Sequence, residues 1–264
     1  MIIVDTSERA HVIDVRSEEE LEVIDLAVVQ LAYSTSFYKS LATGGNVSKA
    51  LAYAGERACY QSLVTFNGQL VLLGTKGIHV LMLRTWLERI DALLKRDKYQ
   101  EALSLAQSFY DGKAKGVVGL YGVPEKRKEV VGEQIMTILH LYVDLSMTHL
   151  CPSRGKAEEL ESYFQGVVTT CVEHCLSMRQ TDFLFGKIYD RFSEDPIAKG
   201  TYLECLEPYI LNDMLTYITP SVMKDFVQHY EQKGILSSVE SCIVHMDIAS
   251  LDIHQVKKIN CFGL

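Results

Sequence analysis

The sequence predicts a mixed, mainly α protein: a short all-β part at the N-terminus followed by a stack of helical hairpins. Three observations carry this expectation. Short β-rich runs separated by turn residues fill roughly the first third of the 264 residues. From Thr85 onward the apolar residues recur at helical spacing instead. A helix–turn–helix pattern near residue 100 returns near residue 235. The expected boundary lies at 84/85, giving a β domain over 1–84 and a helical domain over 85–264.

The β part opens with IIVD (2–5) and AHVIDV (10–15), with Ser7, Glu8 and Arg9 between them as a turn. LEVIDLAVVQLAYS (21–34) continues the pattern, and Gly44, Gly45 and Asn46 interrupt it. The clearest signal is SLVTFNGQLVLLGTKGIHVLML (62–83). Asn67-Gly68 between two β-rich runs predicts a type I′ hairpin, because that turn needs positive φ at both central residues. Gly74 and Gly77 frame a second turn, so a three-strand meander is expected. Its last two strands are almost continuously apolar, which predicts burial on both faces. Strands of this length fit a sandwich, a barrel or propeller blades, and the amount of sheet would make about one to two blades. The β part is therefore expected to be the end of a larger β domain.

The helical part begins with TWLERIDALLKRDKYQEALSLAQSFYDG (85–112). Thr85 and Glu88 fit a capping box, and Asp97 with Gln100 fits a second cap. Trp86, Leu87, Ile90, Leu93 and Leu94 form one apolar stripe. Tyr99, Ala102, Leu103, Ala106, Phe109 and Tyr110 form the next, closed by Gly112 at C′. Two antiparallel helices with almost no loop are expected. Further helices are expected from Pro124 to about Leu150, over 156–178, from Thr181 or Asp182, and from Asp195-Pro196, the last interrupted by Pro208. Thr219-Pro220 starts another helix with the stripe Val222, Phe226, Val227 and Tyr230, and Gly234 breaks it. Ser237 and Glu240 fit a third capping box, ahead of Val239, Cys242, Ile243 and Met246.

Tyr99-x-x-Ala102-Leu103-x-x-Ala106 aligns with Ile235-x-x-Ser238-Val239-x-x-Cys242 at an offset of 136. Stacked hairpins of an α-solenoid account for such an echo. The last segment, SLDIHQVKKINCFGL, begins another helix and stops, so the chain is expected to be a piece or variant of something longer.

Composition narrows the function. The net charge is −8, with −2 over 1–84 and −6 over 85–264. Neither part has the basic excess that nucleic-acid binding requires, so proteins are the expected partners. Cys59, Cys151, Cys171, Cys175, Cys205, Cys242 and Cys261 are odd in number, scattered, and mostly within apolar stretches. Reduced, buried thiols in the cytosol fit this usage. The N-terminus reaches Asp5 at once and has no signal-peptide pattern. IMTILHLYV (135–143) falls far short of a membrane span, so membrane contact is expected to be peripheral.

Few residues point to chemistry. Cys171-x-x-His174-Cys175 puts ligand types on one helix face, and Cys242-x-x-His245 is the other such pair. A structural zinc site needs four ligands, and both pairs sit in apolar stripes, so core packing is the favoured reading. A zinc- or thiol-dependent enzyme around Cys171, His174 and Cys175 is the enzymatic alternative. Elemental analysis for zinc would discriminate it. Glycines 112, 116, 119 and 122 lack the Gly-Lys-Ser/Thr ending of a phosphate loop and predict a flexible connection. Lys113, Lys115, Lys126, Arg127 and Lys128 make a basic cluster that could touch anionic lipid, with a solvated surface as the plainer reading. Glu18, Glu19 and Glu20 read as a charged turn. No catalytic, cofactor or metal residue is assigned.

WLERID (86–91), QEALSLAQSFYDGKAKGVVGL (100–120), SVMKDFVQHYE (221–231) and SLDIHQV (250–256) resemble the vacuolar protein sorting-associated protein 8 family. The resemblance runs through about Val256. It implies a β-propeller followed by an α-solenoid and, in the family, a C-terminal RING-type zinc domain. It also implies a non-enzymatic scaffold subunit of the CORVET endosomal tethering complex, peripheral on the early-endosome membrane. The implied partners are the class C core vacuolar protein sorting subunits and an early-endosomal Rab GTPase. Only the propeller–solenoid junction is matched. No RING residues are present, so zinc and ubiquitin chemistry are not carried over. A generic helical-repeat adaptor outside trafficking is the remaining alternative.

Overall fold

The computed structural model describes residues 1–31 except 6 and 16, residue 49, and residues 62–151 and 157–247. Cys59, Cys261, the Gly44–Gly45–Asn46 loop and the SLDIHQV segment lie outside the described residues. The chain divides into two compact units. One comprises Met1–Ala92 with Gly112–Tyr121, and the other comprises Leu93–Asp111 with the described residues from Gly122 onward.

The first unit holds two three-stranded antiparallel sheets. One is β1 (Ile2–Val4), β2 (Arg9–Asp14) and β3 (Glu19–Asp25), and the other is β4 (Leu63–Phe66), β5 (Gln69–Leu73) and β6 (Ile78–Met82), each in sequential order. Asn67 (φ +48) and Gly68 (φ +73) both have positive φ, as the hairpin turn demands. The Gly74 amide donates to Gly77 O at 2.8 Å and closes the second turn. Ala10, Leu26, Leu31, Leu70 and Leu72 form one core drawn from both sheets. The sheets are also joined by backbone, since Leu31 bridges Gly74 and the Thr75 amide donates to Gln30 O at 2.8 Å. A Cβ on residue 74 would lie 2.4 Å from Val29 O, so only glycine allows this approach.

Burial of β5 and β6 on both faces is not observed. Leu70 and Leu72 are buried, whereas Ile78 is 70% and Val80 50% exposed. The two-residue alternation of strand side chains divides this apolar stretch between an inner and an outer face.

The helices follow the expected order: α1 (Trp86–Leu94), α2 (Tyr99–Tyr110), α3 (Pro124–Thr148), α4 (Ala157–Met178), a bent helix made of α5 (Thr181–Phe183), a π-helical turn (Leu184–Ile188) and α6 (Tyr189–Phe192), then α7 (Pro196–Leu211), α8 (Pro220–Lys233) and α9 (Leu236–Val244). The Thr85–Glu88 capping box forms, with the Thr85 amide donating to Glu88 Oε2 at 2.8 Å and the Glu88 amide to Thr85 Oγ1 at 3.3 Å. Within the second unit α2 packs on α3, α4 on α7, and α8 on α9. Ala102 and Ala106 are wholly buried, and small side chains at this spacing let α3 approach closely. The bent helix, α4 and α7 share an aromatic cluster of Phe164, Tyr189, Phe192 and Tyr202, with ring centroids 5.1–6.3 Å apart.

Three expected helix boundaries differ. Asp97 does not cap α2. It has φ +58, and the Lys98 and Asp97 amides donate back to Leu93 O and Leu94 O at 3.1 and 3.0 Å. That is a Schellman closure of α1, with Asp97 at the left-handed C′ position. Ser237 and Glu240 do not form a capping box. The closure of α8 at Gly234 runs directly into α9, which already begins at Leu236. Pro208 does not interrupt α7, which continues to Leu211. One missing N–H this close to the C-terminus is outweighed by burial of Leu206 and Ile210 on either side.

Gly234 ends α8 at φ +72, with the Gly234 and Ile235 amides bonded to Glu231 O and Tyr230 O. Gly234→Ala is expected to destabilise the helical unit by about 1–2 kcal/mol, read as a lower urea midpoint at unchanged slope.

Candidate interaction surfaces

The register places Val64, Phe66, Val71, Leu73, Ile78, Val80 and Met82 on the outer face of the β4–β6 sheet, opposite Leu70 and Leu72. Val64, Val71 and Val80 form one cross-strand row, and Leu73 pairs with Ile78. Phe66 is 66% and Met82 63% exposed. Exposed apolar side chains are thus gathered on one face of this sheet among the described residues.

The outer face of the β1–β3 sheet is chemically different. Residues 1–31 carry two arginines against eight carboxylates, a net −6. His11, half-buried, places Nδ1 2.5 Å from Glu20 Oε2 and Nε2 3.3 Å from Asp5 Oδ2. Asp5 also accepts the Ser7 and Arg9 amides at 2.8 and 2.9 Å and the Arg9 guanidinium. The Arg9 amide foremost holds the Asp5 carboxyl far below the usual carboxylate range. The hydrogen bond to Glu20, and then the one to Asp5, raises the His11 pKa. A raised pKa means that His11 stabilises the sheet fully below its unfolded value near 6.5 and loses this contribution as pH rises through the folded value. An NMR titration is therefore expected to give a His11 pKa above 6.5 that falls on Glu20→Gln.

The glycine-rich connection makes several polar contacts within the first unit. Arg89 Nη1 donates to Lys115 O at 3.0 Å, the Trp86 amide donates to Val118 O at 3.0 Å, and Lys115 pairs with Glu19. The basic cluster is largely engaged locally: Lys115 on Glu19, Arg127 Nε on Gly122 O at 2.8 Å, and Lys128 over the Tyr110 ring at 5.5 Å. Glu18 forms a turn at φ +57, while Glu19 and Glu20 already belong to β3.

Cys171 and Cys175 are wholly buried on α4. Burial raises the Cys171 thiol and pushes Cys175 up to about 12. His174 turns to Gln107 of α2, Nδ1 to Oε1 at 3.0 Å, and burial lowers its pKa. Cys242 is wholly buried and pushed up to about 12 by burial, and His245 faces Asp213 at 2.8 Å. Thiolate, the nucleophilic form, is disfavoured at each buried thiol. Among the described residues no group of three or more His, Cys, Asp or Glu side chains is arranged to hold a metal ion. In a Cys59→Ser, Cys261→Ser background, Cys151 is expected to react first with a thiol reagent, while Cys171 and Cys175 react only on unfolding.

A polar seam between α7 and α8 escaped the sequence reading. Asp225 accepts from Tyr189 Oη at 2.6 Å and from Lys199 at 2.9 Å. Glu204 meets His229 at 2.6 Å and also Lys233, and Tyr230 donates to Glu207 at 2.5 Å. Lys199, Asp225 and His229 of this seam border a shallow cleft of about 170 Å³, with Gly200 beneath the His229 ring. A second cleft, about 230 Å³, lies against Tyr110, Lys128, Gly132, Met136 and Met178. Ion pairing across helices leaves no periodic trace in one sequence, so only the partners' proximity reveals the seam. Among the described residues no helix is long and apolar enough to cross a membrane.

The family model described as Vps8 beta-propeller matches residues 1–82, and the one described as Vps8 central TPR matches residues 201–261. The chain is 53% identical over 256 residues to the vacuolar protein sorting-associated protein 8 homolog of Mus musculus and 52% identical to that of Homo sapiens, covering 97% of this chain in each case. It is 31% identical over 254 residues to the homolog of Drosophila melanogaster, covering 96% of this chain. The chain spans 18–19% of the length of these relatives. No solved structure matches it.

Proposed function

This chain belongs to the vacuolar protein sorting-associated protein 8 family, and from that premise we propose that it is a non-enzymatic scaffold piece of an endosomal membrane-tethering complex, CORVET. It acts in vesicle-mediated protein transport through protein–protein contacts. Its partners are class C core vacuolar protein sorting subunits and an early-endosomal Rab GTPase, and it sits peripherally on the cytoplasmic side of the early endosome. Residues 1–84 supply propeller sheet and 85–264 supply solenoid.

The observation that carries this reading is the extent of the likeness: it covers both the sheets and the helices, over 97% of the chain. Two features of the surface support it. An apolar sheet face is exposed, as a contact-making protein requires. The thiols that would serve a nucleophilic enzyme are spent on packing. Proximity labelling in cells tests the reading. Endosomal tethering subunits are expected among the labelled neighbours. A neighbour set without endosomal proteins would favour an adaptor outside trafficking.

A further inference from the structure

The His11 ring stands between two carboxylates, with Nδ1 2.5 Å from Glu20 Oε2 and Nε2 3.3 Å from Asp5 Oδ2. An ionised carboxylate only accepts, so both contacts are hydrogen bonds only when both ring nitrogens donate. That state is the imidazolium. A neutral imidazole has one N–H and turns a lone pair toward the other carboxylate.

The two carboxylates are held differently. Asp5, in the turn after β1, also accepts the Ser7 and Arg9 amides and the Arg9 guanidinium. The Glu20 side chain is 50% exposed, and among the described residues His11 is its one partner. Glu20 also sits at a break in the ladder. Val12 pairs with Glu22 and Ile13 with Glu20, so Leu21 is the extra residue of a β-bulge. A bulge leaves its extra residue unpaired. The His11–Glu20 contact therefore ties β3 to β2 by side chains where their backbone pairing is interrupted.

The neighbouring charges are directed elsewhere. Ile3 and Val23, the register partners of His11, are apolar. Asp25, opposite Arg9, accepts the Ala27 amide at 2.8 Å. Glu22 and Glu19 are the register partners of Val12 and Asp14, which alternate to the side of β2 away from His11. Glu19 pairs there with Lys115. Asp5 and Glu20 are thus the charged groups that act on the ring.

We propose that His11 is a proton-operated clasp on the bulged end of β3. Protonated, the ring ties Glu20 to the Asp5 turn and holds that end of the strand against β2. On losing a proton it keeps Nε2–H on the fixed Asp5 carboxylate. Glu20, which no other described residue retains, then swings to solvent. Because the His11 pKa is raised, the clasp is closed below 6.5 and opens as pH rises through the folded value.

An NMR pH titration of the intact chain tests this. His11→Phe assigns the ring among the eight histidines and serves as the permanently open form. At low pH both His11 ring nitrogens are expected to carry protons, with nuclear Overhauser contact from the ring to the Glu20 methylene protons. At high pH Nε2 alone is expected to carry a proton, and the contact is lost. Amide exchange of residues 19–22, taken relative to the unstructured rate at the same pH, is expected to quicken about two- to fivefold across the transition, the range for one exposed ion pair. In His11→Phe it is expected to be fast throughout. A neutral ring protonated on Nδ1, or a Glu20 contact that survives deprotonation, would overturn the release. Relative exchange that stays constant in the unmodified chain, or that still changes in His11→Phe, would overturn the hold on the strand.

Discussion

Phe192→Ala is expected to lower the unfolding free energy of the helical unit by about 3–5 kcal/mol. Phe192 is wholly buried and joins three elements. Its ring lies 6.3 Å from Phe164 of α4 and 5.3 Å from Tyr202 of α7, and it closes the bent helix. Tyr202 cannot move to fill the space without loss, because its hydroxyl donates to Leu184 O at 2.9 Å in the π-helical turn. The cavity therefore persists, and cavities that cannot collapse carry the largest cost. Urea unfolding followed by helical circular dichroism measures the effect. Leu141→Ala, at an exposed position of α3, is the control and is expected to change stability by less than about 0.5 kcal/mol.

Leu72→Ala is expected to destabilise the sheet unit by about 2–5 kcal/mol. Leu72 is wholly buried at the centre of the core shared by both sheets. Val80 stands on the same sheet but on the outer face, half exposed. Val80→Ala is expected to stay within about 0.5 kcal/mol. Trp86, the single tryptophan of the chain, is 4% exposed and belongs to this unit, so its fluorescence reports the loss. Equal effects of the two substitutions would mean that the assignment of inner and outer faces is wrong.

That face assignment also marks where sequence reading stopped. The Asn67-Gly68 hairpin was legible because its turn demands particular residues. The helical stripes and the Thr85–Glu88 cap were legible because they are local and periodic. Burial of β5 and β6 was misread because an apolar run does not say whether a second layer covers it. Asp97, Arg179 and Asp213 all stand at positive φ directly after helices, where glycine is the usual signal. Closures built on other residues leave no composition cue, so Asp97 passed for the start of α2 rather than the end of α1. The anchoring of residues 112–121 leaves no local cue. The glycines there suggest a loop, and the contacts of Lys115 and Gly116 with Glu19, Asp14 and Leu21 lie about a hundred residues apart in the chain. Cys171, Cys175 and Cys242 are buried, as their helical spacing predicts, whereas His174 and His245 make polar contacts with Gln107 and Asp213 instead of packing in the core. The exposed apolar sheet face and the α7–α8 polar seam required the register and the helix neighbours.

The central claim is that this chain works by binding other proteins. Its most direct test is a titration of the purified class C core subunits with the purified chain, beside a full-length family member as control. Saturable, stoichiometric binding by the chain is the expected result, unaffected by chelators. No binding by the chain, where the full-length control binds, would contradict it.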